Sequence, residues 1–158
     1  MQKKTSFTLK EAQKKLEHYC AYQERCHFEV EQKLKELQMI PSAQEVIISK
    51  LIEENYLNES RFAQSFARGK FRIKKWGKQR IIRELKGRKI SDYNIKLGLK
   101  EISALDYQST FYHLFEKRKE AVSNYSISIQ KKKIIYFMVY RGWETHLIYD
   151  ALRENFQN

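Results

Sequence analysis

Ile134-Ile135-Tyr136-Phe137-Met138-Val139-Tyr140 is the stretch on which the fold of this chain turns. Taken alone it is rich in β-branched and aromatic residues, the composition of a buried strand. A lone strand, however, has nothing to pair with, and no second candidate is present. The stretch also aligns with Ile81-Ile82-Arg83-Glu84-Leu85, whose apolar residues recur at helical spacing. The alignment decides for a helix.

Working outward, Met138 is followed at offsets 10 and 14 by Ile148 and Leu152. The same offsets join Leu85 to Ile95 and Leu99, and Leu37 to Ile47 and Leu51. Upstream of each set lies an apolar pair on one helical face: Leu16 with Tyr19, Phe62 with Phe66, and Phe111 with Phe115. Each unit therefore reads helix, helix, turn, helix. The anchors Leu37, Leu85 and Met138 are 48 and 53 residues apart, a three-fold array with an insertion near 124–128 in the last unit. The expected division is 1–55, a first unit with the N-terminal helix; 56–102, a central basic unit; and 103–158, a third unit. Such units bury their faces partly against neighbours, so the expectation is an all-α protein of three tandem three-helix repeats forming an elongated, curved array.

Helix starts support about nine helices. Thr8 with Glu11 reads as a capping box. Ser42 with Glu45 repeats it, with Pro41 ending the helix before. Ser91 before Asp92, and Ser103 with Asp106, place an acceptor or a carboxylate at the positive end of a helix.

Composition agrees with this reading. The 158 residues include only 5 Gly and 1 Pro, too few for the turns of a β-sandwich or barrel. With 42% hydrophobic and 32% charged residues the chain suits amphipathic helices. The longest apolar run, seven residues, is too short to cross a bilayer. The basic N-terminus is followed by alternating charged and apolar residues instead of a signal-peptide core, so a cytoplasmic protein is expected. Cys20 and Cys26, the only thiols, are expected to stay reduced.

Lys plus Arg number 31 against 19 Asp plus Glu, a formal charge of +12. Residues 61–89 hold twelve of the cations and only Glu84 of the acids, so this block carries +11 and the rest of the chain +1. A surface built only for solubility intersperses both signs, so the block points to a polyanionic partner. Arg61, Ser65, Arg68 and Arg72 are spaced as one stripe beside an inward Phe62, Ala63 and Phe66 face. On the next helix Lys78, Arg83 and Lys86 stay wet while Ile81, Ile82 and Leu85 face inward. Trp76 before Gly77 is expected to wedge the turn, with stacking on a base as the alternative. Lys131, Lys132 and Lys133, with Arg141 beyond, form a second patch.

Several chemistries lack their residues. The five glycines make neither a phosphate-binding loop nor a dinucleotide fingerprint. Metal-dependent phosphoryl transfer wants clustered carboxylates, and the basic block supplies one. His18, Cys20, Cys26 and His27 are close in sequence but lack the spacing of a zinc site. No cofactor, no metal and no catalytic residue is expected.

The motifs Tyr56-Leu57-Asn58-Glu59-Ser60-Arg61-Phe62-Ala63, then Trp76-Gly77-Lys78-Gln79-Arg80-Ile81-Ile82-Arg83-Glu84-Leu85, and Ile90-Ser91-Asp92 resemble the bacterial RecX family. That family shows an aspartate-rich turn before Arg-Phe-Ala, a glycine ahead of a basic Arg-Ile helix ending in Glu-Leu, and a short Gly-Ile turn. The likeness spans residues 55–102, and the three-unit layout extends it over most of the chain. Two positions depart from it: Asn58-Glu59 replaces the acidic pair, and Lys86-Gly87-Arg88-Lys89-Ile90 separates the Gly from the Ile.

The resemblance implies a non-enzymatic regulator of the RecA recombinase that binds in the groove of the RecA filament on DNA. It would inhibit ATP hydrolysis, strand exchange and filament growth, within recombination, DNA repair and the SOS response. The expected contacts to RecA or DNA are Arg61, Arg68, Arg72, Lys74, Lys75, Lys78, Arg80, Arg83, Lys131, Lys132 and Lys133. Single-stranded DNA is a candidate direct partner, no membrane is involved, and a monomer is expected. The alternative is a stand-alone nucleic-acid-binding helical module without recombinase specificity.

Overall fold

The structure, a computed structural model, describes residues 6–156. Among them lie nine helices and no strand: α1 (Leu9–Tyr22), α2 (His27–Glu36), α3 (Pro41–Glu53), α4 (Glu59–Lys74), α5 (Lys78–Gly87), α6 (Asp92–Leu99), α7 (Ala104–Ala121), α8 (Ile127–Tyr140) and α9 (Thr145–Asn155). The Ile134–Tyr140 stretch is therefore helical, the last two turns of α8.

Local signals start most of these helices where the residues place them. Thr8 Oγ1 accepts from the Glu11 amide at 3.1 Å while Glu11 Oε1 accepts from the Thr8 amide at 3.2 Å, a closed capping box. Ser91 and Ser103 accept from the Asn94 and Asp106 amides. Asn58 caps α4 by accepting from the Arg61 amide at 3.0 Å. The start of α3 differs from expectation. Ile40 is its extended cap and Pro41 its first helical residue, with no cap bond from Ser42. Proline at that place lacks only an amide hydrogen the helix would leave unpaired, and its ring presets φ, so it opens the helix.

The repeat is visible in the turn between second and third helices. Met39, Ile90 and Trp143 each donate an amide hydrogen, at 3.1 Å, to the carbonyl of Leu34, Leu85 and Met138, respectively. The residue before each donor, Gln38, Lys89 and Gly142, has positive φ (58°, 59° and 91°). This is one Schellman motif built three times, with its apolar clasp across the helix end. It corrects the anchor of the first unit. Leu37 caps α2 and is half-buried, whereas Leu34 is fully buried at the place held by Leu85 and Met138. The extra length of the third unit includes an additional turn at the start of α8, which has 14 residues against 10 in α5.

The apolar faces assemble into two cores. Ala12, Leu16, Val30, Leu34, Ile47 and Leu51 fill the centre of α1–α3. Phe62, Phe71, Ile81 and Leu85 continue without a break into Phe111, Phe115, Ile134, Met138 and Trp143, so α4–α9 share the second. Cys26, ahead of α2, belongs to that second core, and Cys20 to the first. Burial pushes both thiols up to about 11, leaving them protonated and unreactive at neutral pH. The array exposes 10478 Å² of surface, where a compact monomer of 19.1 kDa exposes about 8,400 Å². That excess is the signature of an elongated body.

Candidate functional site

The turn between α4 and α5 is clamped to the turn between α8 and α9. Gly77 donates to the Arg141 carbonyl at 2.8 Å and Gln79 to the Gly142 carbonyl at 3.0 Å. Trp143, a residue sequence reasoning passed over, is buried and donates from Nε1 to the Lys75 carbonyl at 3.1 Å. Tyr107 accepts from the Lys78 amide at 2.8 Å and donates its hydroxyl to Glu144. Its phenol is held well above the ordinary tyrosine range by burial first and by the Glu144 carboxylate second, so it remains a donor. This rigid junction carries most of the cations in question.

The structure divides those cations into paired and unpaired groups. Arg61 is turned inward: Nε lies 2.6 Å from Glu24 Oε1, and its other nitrogens bond Asn55 Oδ1 and the Asn55 and Tyr56 carbonyls. Arg68 pairs with Glu101 at 3.0 Å. Arg88 pairs with Glu84 at 3.1 Å and Glu29 at 3.5 Å. The acid-free stripe expected along α4 is thus interrupted in three dimensions by Glu24 of the α1–α2 turn and Glu101 of the turn after α6. Arg61 and Arg68 are tied to the fold, while Arg72, Lys74, Lys75, Lys78, Arg80 and Arg83 have no ion pair among the described residues.

Aromatic faces hold several of the unpaired cations. Arg80 lies 4.2 Å from the Trp76 ring centroid and 4.9 Å from that of Tyr140, and donates to the Tyr140 carbonyl at 3.2 Å. Lys78 stands 4.6 Å over Tyr107. Trp76 itself packs edge-on against Phe66, so it does wedge the α4–α5 turn. In the second patch Lys131 reaches Phe156 and Lys133 reaches Tyr125, while Lys132 is exposed. Across α8, Arg118 and Arg141 both lie over Phe137, at 4.9 and 3.6 Å. The pKa of Arg141 is lowered by burial and then by the charges of Arg118 and Arg80.

Between α5 and α8 runs a groove of about 570 Å³, lined by Arg80 and Arg83 of α5 and by Lys132, Ile135 and Val139 of α8. Its one acid, Glu84, is held by Arg88. Tyr136 and Tyr140 line it as parallel rings 6.2 Å apart. No three His, Cys, Asp or Glu among the described residues converge on a metal-sized site.

Residues 58–99 match the family model for the second three-helix domain of RecX. The matched segment opens on Asn58, the cap of α4, and closes on Leu99, the last residue of α6. Over this central triplet the chain is similar to RecX proteins. The regulatory protein RecX of Bacillus cereus strain AH820 is 26% identical over 136 residues, covering 86% of this chain and 50% of the relative. That of Bacillus thuringiensis subsp. konkukian gives the same figures. The chain thus spans about half the length of the curated RecX proteins it matches. Among solved structures, a regulatory protein RecX superimposes with a TM-score of 0.82 at 19% identity, covering 92% of this chain and 73% of the other. RecX from Lactobacillus salivarius gives 0.79 at 24% identity, covering 93% and 95%. These likenesses show that the helical array is the RecX fold. No helix among the described residues is long and apolar enough to cross a membrane.

Proposed function

We propose that this chain, which has the RecX fold, is a non-enzymatic regulator that docks on a RecA-type recombinase filament and restrains its ATP hydrolysis, strand exchange and growth. The observation that carries the reading is the unpaired cationic strip on the second triplet. It runs from Arg72, Lys74 and Lys75 around the turn to Lys78, Arg80 and Arg83, and faces Lys132 of the third triplet across the groove. Unpaired guanidiniums on a rigid frame suit bidentate contact with carboxylates or phosphates. The junction built on Trp143, Gly77 and Gly142 fixes the spacing of these charges, as docking on a regular polymer requires. Arg61 and Arg68 are left out of the contact set because both are already paired.

The test is a titration of RecA ATP hydrolysis on saturating single-stranded DNA. Added protein is expected to inhibit, and the combined Arg72→Glu and Arg83→Glu exchange to abolish inhibition while helicity by circular dichroism is unchanged. Hydrolysis that stays at its uninhibited rate with the unaltered protein would overturn the reading.

A further inference from the structure

We infer that the groove between α5 and α8 is a binding site for single-stranded polynucleotide, with bases stacking on Tyr136 and Tyr140 and phosphates held by Arg80, Arg83 and Lys132. The site works on the chain alone and does not depend on the recombinase reading.

Tyr136 and Tyr140 are 73% and 57% exposed on one face of α8. Their planes are 18° from parallel and both rings line the groove. Tyr140 is also pinned from behind: Arg80 is sandwiched between it and Trp76 and bonds its carbonyl. A ring fixed in this way loses little freedom on accepting a stacked base. Base-on-aromatic stacking tolerates any sequence because every base has a flat face.

Charge selects the occupant. With Glu84 held by Arg88, the lining of the groove presents three cations. Beyond Tyr140 the field continues into Arg141 and Arg118, whose guanidiniums both lie over the Phe137 ring. The guanidinium of Arg118 has a buried Nε with no hydrogen-bond partner. A groove lined by flat rings and cations matches a strand whose bases are free of pairing. A duplex hides its base faces, and an acidic peptide would use the cations while leaving the parallel rings without a purpose.

DNA and RNA strands share this chemistry. The test measures anisotropy of labelled oligothymidylate and oligouridylate with the purified protein and no recombinase. Binding of either strand is expected, with log K falling against log salt at a slope of about −2, for three phosphates on a single strand. Tyr136→Ala with Tyr140→Ala should weaken binding at least about tenfold, and Tyr→Phe at both positions should restore it, since stacking needs the ring and not the hydroxyl. Both side chains are exposed, so folding is not at stake. An abasic strand of equal length should bind as weakly as the double Ala variant. Equal affinity for abasic and base-bearing strands, preference for duplex or for a polyglutamate peptide, or no binding overturns the proposal. RecA inhibition measured on the same double Ala variant separates the two readings, because the strip remains intact in it.

Discussion

Arg61 shows how much a residue count conceals. In sequence it opens a run of twelve cations, but in the fold its guanidinium ties α4 to Glu24 of the α1–α2 turn and to the Asn55-Tyr56 turn. Hydrogen bonds to a charged group contribute about 1.5–3 kcal/mol each way they are broken, so Arg61→Ala is expected to lower stability by roughly that amount in urea melts. At a concentration of folded protein equal to that of the unaltered chain, it should leave RecA inhibition unchanged; lost inhibition with unchanged stability would return Arg61 to the contact surface. The composition of residues 61–89 was legible, and with it the excess of charge. The pairing was not, because Glu24, Glu29 and Glu101 come from segments 33 to 59 residues away from the arginines they meet. Tyr136 and Tyr140 were hidden for a different reason. Their segment is so apolar that it reads as buried throughout, although two tyrosines at i and i+4 are a helical face that can point outward.

At the scale of elements, the repeat was legible but its phase in the first unit was not. Leu37 lies three residues after the true anchor Leu34, and Ile47 lies three residues deeper in α3 than Ile95 does in α6. The two displacements cancel, so offsets of 10 and 14 recur although the positions are not equivalent. The Schellman turns reveal the phase because they are fixed by backbone geometry. In the third unit that turn is also the junction with α5. A Cβ on Gly77 would lie 2.4 Å from the Gly142 carbonyl oxygen, and one on Gly142 would lie 2.3 Å from Arg80 Cβ at a φ of 91°. Gly77→Ala is therefore expected to cost about 1–3 kcal/mol by overpacking. Gly69, inside α4 with open space around it, provides the opposite sign: Gly69→Ala should gain about 0.5–1 kcal/mol from lower chain entropy and better helix propensity. Thermal melts of the two variants check both, and equal effects would remove the interlock from the account.

For the molecule as a whole, the two cores differ in how they are joined to each other. The junction between α4–α6 and α7–α9 is apolar and threaded by hydrogen bonds to backbone carbonyls from the Gly77 and Gln79 amides and the Trp143 indole. The junction between α1–α3 and α4–α6 places Cys26 and Phe28 on the second core but relies otherwise on partly exposed polar contacts, the ion pairs of Arg61 with Glu24 and Arg88 with Glu29 and the hydrogen bond from the His27 amide to Glu59. Pairs open to solvent are weakened by salt. Local opening should therefore follow this seam. Native-state hydrogen exchange is expected to show the buried amides of α1–α3 opening as a group at lower free energy than those of α4–α9, with the gap widening at high salt. Elongation makes this possible, since the first triplet touches the rest of the chain on one side only, in the manner of a terminal repeat. A hinge there would let the N-terminal triplet adjust while α4–α9 hold the cationic strip and the tyrosine groove in one rigid body. Uniform protection across all nine helices would instead make the array a single cooperative unit and remove the hinge.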